Sequence, residues 1–556
     1  MLWFLRLHPH PEVKAMTHHT FPQKPVASFI SRRQFLTYGA GASALLTLPA
    51  AMAMDMSGMN MTSTKGRTSS IPKPVFSGTL PIPPVYTGGW GHDKVREYHL
   101  RIGGGHSTLH PGLETATWGY NGAVLGPALR IPRGQPVRLY VHNGLDQSTT
   151  THWHGAHVPG TMDGGPQSLI LPGKTWTYGY TIDQPEATLW YHPHPAGRTG
   201  PHVYAGLAGL YLVEDGTDRR LGLPHHWGVD DIPVIVQDRL LDARGRLVYM
   251  PQAMDVMGMK GNRFLINGRE SPILKVPAQW LRLRLLNASN ARIYNFALTG
   301  DQTFYVIASD AGYLESPVRV QRLLLAPAER AEILLDLRAM EGKRLWLRSD
   351  SAAVIPGLSL HPMDSDQFDR SNFNLLEIQV DTATSTGGQL PDHLVDIPRL
   401  QANAGSRRFT LRGMAMDKMP LAQQALAKAL HNGPAQMSMG VGREPLFSIN
   451  NQYMNMQVIN QRLRLGSTEI WEVYNDAEMA HTFHVHGTSF QILSRNGKAP
   501  PAYEAGWKDT LLIRRAETVR FIAHYGHPAP DDFPYMYHCH MLEHEDNGMM
   551  GQFTVS

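Results

Sequence analysis

The strongest constraint on the fold is a pattern written three times along the chain. Asn121-Gly122 leads through Leu129, Arg130, Ile131 and Pro132 into Val137-Arg138-Leu139-Tyr140-Val141 and stops at Asn143. The pattern returns as Asn267-Gly268, then Leu274-Lys275-Val276-Pro277, then Leu281 to Leu285, stopping at Asn287. A looser third copy runs from Asn450-Asn451 through Leu463-Arg464-Leu465 and Ile470 to Tyr474, and stops at Asn475. Apolar and polar residues alternate along these segments, which is the period of a half-buried strand. A repeat this long describes three copies of one β domain, not a solenoid of short units. At 556 residues the chain also exceeds the size of a single core, and 52 Gly with 40 Pro cut its apolar runs too short for long helices. The expected fold is all-β, with domains over 85–220, 221–390 and 391–556.

Nine residues past the closing asparagine the copies diverge in chemistry. His152-Trp153-His154 follows Asn143 and His484-Val485-His486 follows Asn475, but Phe296 holds that place after Asn287. The ends of the first and third copies match as well, with Trp190-Tyr191-His192-Pro193-His194 against Met536-Tyr537-His538-Cys539-His540. Residues two apart on a strand point to one face, so each His-x-His pair offers two imidazoles to one side. Eight imidazoles suit three metal ions held by three, three and two rings, with positions left for dioxygen and water. Zinc sites rarely gather so many histidines. The middle copy is expected to be scaffold.

Cys539 is the only cysteine in the chain, so it forms no disulfide within it. With His544 five residues on and Met549 ten on, it brings the soft thiolate, imidazole and thioether of a blue copper site. Strand alternation turns its sulfur away from His538 and His540. A mononuclear metal and a cluster would then lie on opposite sides of one strand, a few covalent bonds apart. In the first copy Pro193 replaces the cysteine. There Gly206-Leu207-Ala208-Gly209 answers Gly548-Met549-Met550-Gly551, so Leu207 replaces the thioether. That copy is expected to hold half of the cluster and no mononuclear metal.

Residues 1–53 read as a twin-arginine export signal. Arg32-Arg33 precedes the short apolar run from Tyr38 to Ala50, and Ala51-Met52-Ala53 offers a small-residue cleavage site. Met16 is read as the start of that signal, and the apolar run is too short for a permanent anchor. Removing the segment takes away five bases and one acid, lowering the formal charge from +4 to zero. No basic footprint for nucleic acid or membrane remains. Residues 54–84, where methionines continue the alternation begun at Met52, read as a flexible N-terminus.

These motifs make the chain resemble the multicopper oxidases, and among them the laccase-like periplasmic cuprous oxidases of bacterial copper tolerance. The likeness covers nearly the whole mature chain, including 121–167, 227–238, 281–312 and 481–556. It implies three cupredoxin-like Greek-key β-sandwiches and four copper ions. It implies a mononuclear copper on His481, Cys539, His544 and Met549, and a lone cluster copper on His152 and His484. One of the coupled pair would take His154, His192 and His540, the other His194, His486 and His538. Asp163 and Glu545 match acids that help deliver protons in the family.

A methionine-enriched insertion holds Met414, Met416, Asp417 and Met419, then a helix-like 421–430, then Met437 and Met439. It falls where cuprous oxidases cover their electron-entry site, and thioethers suit Cu(I). Met479, two residues before His481, matches a substrate-copper ligand of the family. Ala477 stands where its aspartate partner would be, flanked by Asp476 and Glu478. The expected protein is a monomeric periplasmic oxidase, carried by the twin-arginine machinery, that passes electrons from Cu(I) or phenols to dioxygen. The rivals are a general laccase-like phenol oxidase and a copper-sequestering binding protein.

Overall fold

The computed structural model describes residues 74–354, 358, 366–383, 388–413 and 447–556. The export signal, most of the methionine-rich N-terminus and the insertion with Met414, Met416, Asp417, Met419, Met437 and Met439 lie outside the described residues.

Six sheets fall into three groups that follow one another along the chain, and the fold is three cupredoxin-like sandwiches. In the first, Gly89–Trp90, Arg96–His110, Pro136–Asn143 and Thr175–Thr181 lie in that order. The facing sheet runs Val85–Tyr86, Ala128–Pro132, Gly209–Glu214, Ala187–His192, His152–His154. The third group repeats the plan, with Ser406–Arg412, Thr468–Asn475 and Thr518–His524 in one sheet. Its other sheet holds Met550–Val555, Tyr535–Cys539, His481–Val485 and Thr510–Ile513. The middle group has a seven-stranded sheet containing Asp231–Arg239, Trp280–Asn287 and Arg330–Asp336, opposite a five-stranded one. The strand that ends in the repeat's closing asparagine has a parallel neighbour in all three groups. Parallel neighbours need crossover connections, as expected of a Greek-key plan.

The repeated asparagines have identical tasks in each copy. Asn143, Asn287 and Asn475 are fully buried. Each side-chain oxygen accepts from the amide two residues on, at 3.0, 3.1 and 3.0 Å. Each side-chain nitrogen donates to two backbone carbonyls, such as Gln147 and Ile170 for Asn143 and Met479 and Ile513 for Asn475. A buried loop must satisfy its polar backbone groups, and one amide side chain does so at the end of the strand that leads to the histidines. Asn121, Asn267 and Asn450 stand at φ of 54°, 52° and 54°, a left-handed turn that asparagine tolerates. The motif is therefore a folding device, kept in the middle copy where the metal chemistry is absent.

Each sandwich has its own core. Leu139, Val141, Trp153, Tyr178 and Tyr191 fill the first, and Trp471, Phe483, Phe521 and Tyr537 the third. Phe296 is buried in the core of the middle sandwich, so an apolar ring occupies the position where the other two copies begin a His-x-His pair. Gly209 and Gly551 lie beneath the rings of Tyr191 and Tyr537, where a Cβ would come within 2.3 and 2.4 Å of ring carbons. These equivalent tyrosines sit one residue before His192 and His538, which ties the glycines to the placement of the ligand strands.

Candidate metal centre

The strand register places the eight histidines. His152 pairs with His192 across His152–His154 and Ala187–His192, and His484 pairs with His538 across the equivalent strands. Facing strand positions put their side chains on one face, so each domain presents four imidazoles toward the other. The rings interleave across the boundary. His152 stacks on His486 at 3.9 Å between centroids, and His154 on His484 at 3.7 Å. All eight are at most 1% exposed.

Outward hydrogen bonds show which nitrogen each ring turns inward. Nδ1 of His152 donates to the Asp163 carbonyl at 2.8 Å, and Nδ1 of His484 to the Asp509 carbonyl at 2.8 Å. Nδ1 of His192 donates to the Pro193 carbonyl, Nδ1 of His486 to Asp163 Oδ2 at 2.7 Å, and Nδ1 of His538 to the Cys539 carbonyl. A neutral imidazole carries one N–H, so these rings point an Nε2 lone pair inward. His154 is reversed, with Nε2 3.1 Å from Asp509 Oδ1 and Nδ1 toward the centre.

The inward lone pairs face one another. His538 Nε2 lies 3.2 Å from Nε2 of both His194 and His486, and His154 Nδ1 lies 3.4 Å from His192 Nε2. Acceptors at that distance repel unless a cation lies among them. Nε2 of His152 and His484 and both ring nitrogens of His540 lack a hydrogen-bond partner among the described residues. Burial, reinforced by the neighbouring rings, keeps His154, His192, His484 and His486 far less basic than free imidazole. Neutral, inward-facing and otherwise unsatisfied, this donor set fits a cluster of borderline-soft metal ions.

On the other face of Tyr535–Cys539, Cys539 Sγ lies 3.5 Å from Nδ1 of His481 and of His544, which are 3.1 Å apart. The Cys539 amide donates to the Met549 carbonyl and the Met549 amide to the His544 carbonyl, at 3.0 and 2.9 Å, which ties the thioether residue to the thiol. Burial pushes the Cys539 thiol up to about 12 and His544 down to about 3. A buried sulfur ionises only beside a cation, so this trio also fits a soft metal.

The two acids named from sequence lie against the rings. Asp163 touches His486 and His152, and Glu545 lies 3.4 Å from His194 Nδ1 and 3.2 Å from His538 Nδ1. Burial would raise Glu545, but His194, His538 and hydrogen bonds hold it down at about 2. Asp163 Oδ1 has no hydrogen-bond partner among the described residues, and Glu545 Oε2 has the His538 ring beside it at 3.2 Å. Met479 is 4% exposed and lines a small cavity with Met257 and Met541. Asp476 and Glu478 are ion-paired with Arg412 and Arg515.

Three features are not legible in the motifs. Asp509 and Arg330 carry no repeat signature, yet Asp509 contacts two of the rings. His202 bonds Thr149 through Nδ1 at 3.0 Å, and Leu207 N reaches the His202 carbonyl at 3.3 Å. His202 stands five residues before Leu207, as His544 does before Met549. Four extra residues between Pro193 and Leu207 hide that match when the count starts from the strand.

The multicopper oxidase family pattern matches residues 102–218, 237–359 and 419–556. The chain is 35% identical to the cell division protein FtsP of Xenorhabdus nematophila, over 95% of this chain and 99% of that protein. It is 33% identical to the multicopper oxidase mco of Staphylococcus haemolyticus, over 84% and 90% of the two chains. Among solved structures it is similar to the laccase-like multicopper oxidase CueO of Ochrobactrum sp., with 37% identity, 86% and 100% coverage and a TM-score of 0.74. McoA of Aquifex aeolicus matches with 30% identity, 87% and 100% coverage and a TM-score of 0.73.

Proposed function

Because the chain belongs to the multicopper oxidase family, whose resident metals are one mononuclear copper and a three-copper cluster, we propose that it is an exported cuprous oxidase. Bound copper supplies the one-electron chemistry: four Cu(I), one dioxygen and four protons become four Cu(II) and two waters. His481, Cys539, His544 and Met549 hold the mononuclear ion. His152 and His484 hold the lone cluster ion, and the two remaining triads of histidines hold the coupled pair. Cys539 and its neighbours His538 and His540 join the two centres covalently. Asp163 keeps one oxygen free beside the rings and Glu545 lies against His194 and His538, which places both acids to exchange protons with the cluster face.

The observation that carries the Cu(I) reading is the placement of Met479. Its cavity, about 20 Å³, has room for one water or ion, and Met257 and Met541 supply further thioethers. His544 Nε2 donates to the Met257 carbonyl at 3.1 Å, so the Met257 backbone at the edge of this cavity abuts an imidazole of the mononuclear site. The three thioethers share the lining of this cavity with the Lys260–Asp369 ion pair. Oxygen uptake should be measured with Cu(I) and with a phenol, on the parent, on Met257→Leu/Met479→Leu and on a chain shortened over 414–439. The reading expects Cu(I) turnover to fall about tenfold while phenol turnover holds. Equal loss of both sinks it.

Export to the periplasm rests on Arg32-Arg33 and the apolar run after them, and no helix among the described residues is long and apolar enough to cross a membrane. The relatives named for cell division favour a second reading, a fold used as a partner surface without turnover. Eight converging imidazoles and a buried cysteine favour the oxidase. A copper-loaded parent that consumed no oxygen with either donor would decide for the second.

A further inference from the structure

We infer that Arg330, from the domain without metal ligands, is a positioning residue for the cluster, which acts through Asp509 to decide which nitrogen of His154 faces the metals. The inference rests on the cluster reading above.

Asp163 and Asp509 are equivalent in the pseudo-twofold arrangement of the cluster. Each gives its backbone carbonyl to the first histidine of its own domain's pair, His152 or His484, and its carboxylate to the second histidine of the opposite domain, His486 or His154. Their surroundings differ. Asp163 Oδ1 is without a partner among the described residues. Asp509 is gripped by a two-pronged guanidinium, Arg330 Nη1 to Oδ1 at 2.7 Å and Nη2 to Oδ2 at 2.6 Å, with both side chains fully buried. Thr510 Oγ1 adds a third donor at 2.9 Å.

That grip has two consequences. With both oxygens engaged by Arg330, Asp509 is an anchor for rings, not a metal ligand. A carboxylate paired this way only accepts, so the proton of His154 must sit on Nε2 and the lone pair on Nδ1, facing the centre. Hydrogen bonds of this kind set the tautomer and angle of a ligating imidazole. Arg330 is itself held on three sides, by the carbonyls of Thr188 in the first domain and Ala328 and Asp310 in the middle one. Gly155 leaves the space required: a Cβ there would come 2.5 Å from Asp509 Oδ2 and 3.0 Å from Arg330 Nη2. One guanidinium thus fixes the first and third domains against each other directly behind the stacked rings of His154 and His484.

The test uses the full copper-loaded chain and the variants Arg330→Lys, which keeps the charge and loses the fork, and Asp509→Asn. The amide of Asp509→Asn puts an N–H2 against either the guanidinium or His154 Nε2, and both break the arrangement. Arg284→Lys is the control, because Arg284 also bridges the middle and first domains, through Asp231 and Thr188, and among the described residues its carboxylate partners Asp231 and Glu332 bond no cluster histidine. Copper per chain against a competing chelator, the electron paramagnetic resonance of the lone cluster copper and the blue absorption are read together. Both test variants should bind cluster copper about 10–100-fold more weakly and show an altered resonance, with the blue absorption intact and Arg284→Lys like the parent. Parental affinity and resonance in both variants overturn the inference, and so does equal loss in Arg284→Lys. If Arg330→Lys does not fold, Asp509→Asn decides alone. A parent that holds a single copper overturns the cluster reading, and this inference with it, before any variant is compared.

Discussion

The first and third domains share one frame and differ in what they place at its far side. Where the third has His481, Cys539, His544 and Met549, the first has Thr149, Pro193, His202 and Leu207. The contacts survive the exchange: His481 and His544 approach to 3.1 Å, Thr149 and His202 to 3.0 Å. Burial pushes His202 and His544 alike down to about 3, with a nearby base adding to the effect on each, Arg198 and Lys260. The blue copper position is therefore not what shapes the sandwich. In the first domain a hydroxyl bonds the surviving imidazole, at the place where the third domain has the His481, Cys539 and His544 trio. The cluster face, by contrast, carries four rings in each domain, and its main departure from symmetry is the reversed ring of His154 beside the Arg330-bound Asp509.

Removing the difference from the third domain gives the largest effect. Cys539→Ser should abolish the blue absorption and lower oxidase turnover by at least roughly a thousandfold, the scale on which loss of a central reacting group acts, while cluster copper stays bound. Loss of cluster copper as well would show that the two faces of the strand are not independent. Asp163→Asn tests the cluster face alone. Oxygen reduction should slow by roughly a hundredfold, as for removal of a proton-transferring group, with blue absorption and copper content intact. Turnover near the parent's would remove Asp163 from that role. The converse of Cys539→Ser is construction: Thr149→His with Pro193→Cys and Leu207→Met should add a fifth copper and a second thiolate-to-copper absorption. If metal content stays at four, the two frames differ in more than these side chains.

Much of this was legible in the sequence because each histidine pair begins on a strand and keeps its period of two into the residue or two that follow. His152 and His154, or His538 and His540, reveal a shared face by spacing alone, and Cys539 reveals the opposite face. The closing asparagines gave the copy number because one buried amide satisfies a loop in the same way each time. What the spacing conceals lies on connections and across domains. His202 is masked by four extra residues in a turn. Asp509 and Arg330 meet over a sequence separation of 179 residues, and an isolated acid or base carries no period to betray its partner.

The smallest effect separates the two frames by pH. Burial, reinforced by Arg198, pushes His202 down to about 3 in the folded chain, against about 6.5 when free. As pH falls below about 6.5 the unfolded chain takes up a proton that the folded chain refuses, so stability falls, by about 1.4 kcal/mol per unit from this one group, until pH nears 3. His202→Phe keeps a ring edge-on to Trp118, now 5.2 Å away, and loses the Thr149 hydrogen bond, which costs about 1 kcal/mol at pH 7.5. By pH 5 the parent should have lost about 2 kcal/mol that the variant does not lose, so the order of stability reverses. Unfolding temperatures of the two metal-free proteins between pH 7.5 and 5 measure the reversal. A gap that stays constant across that range would mean that His202 takes up its proton as readily in the fold as in the unfolded chain, and that the first domain's frame does not share the environment of His544.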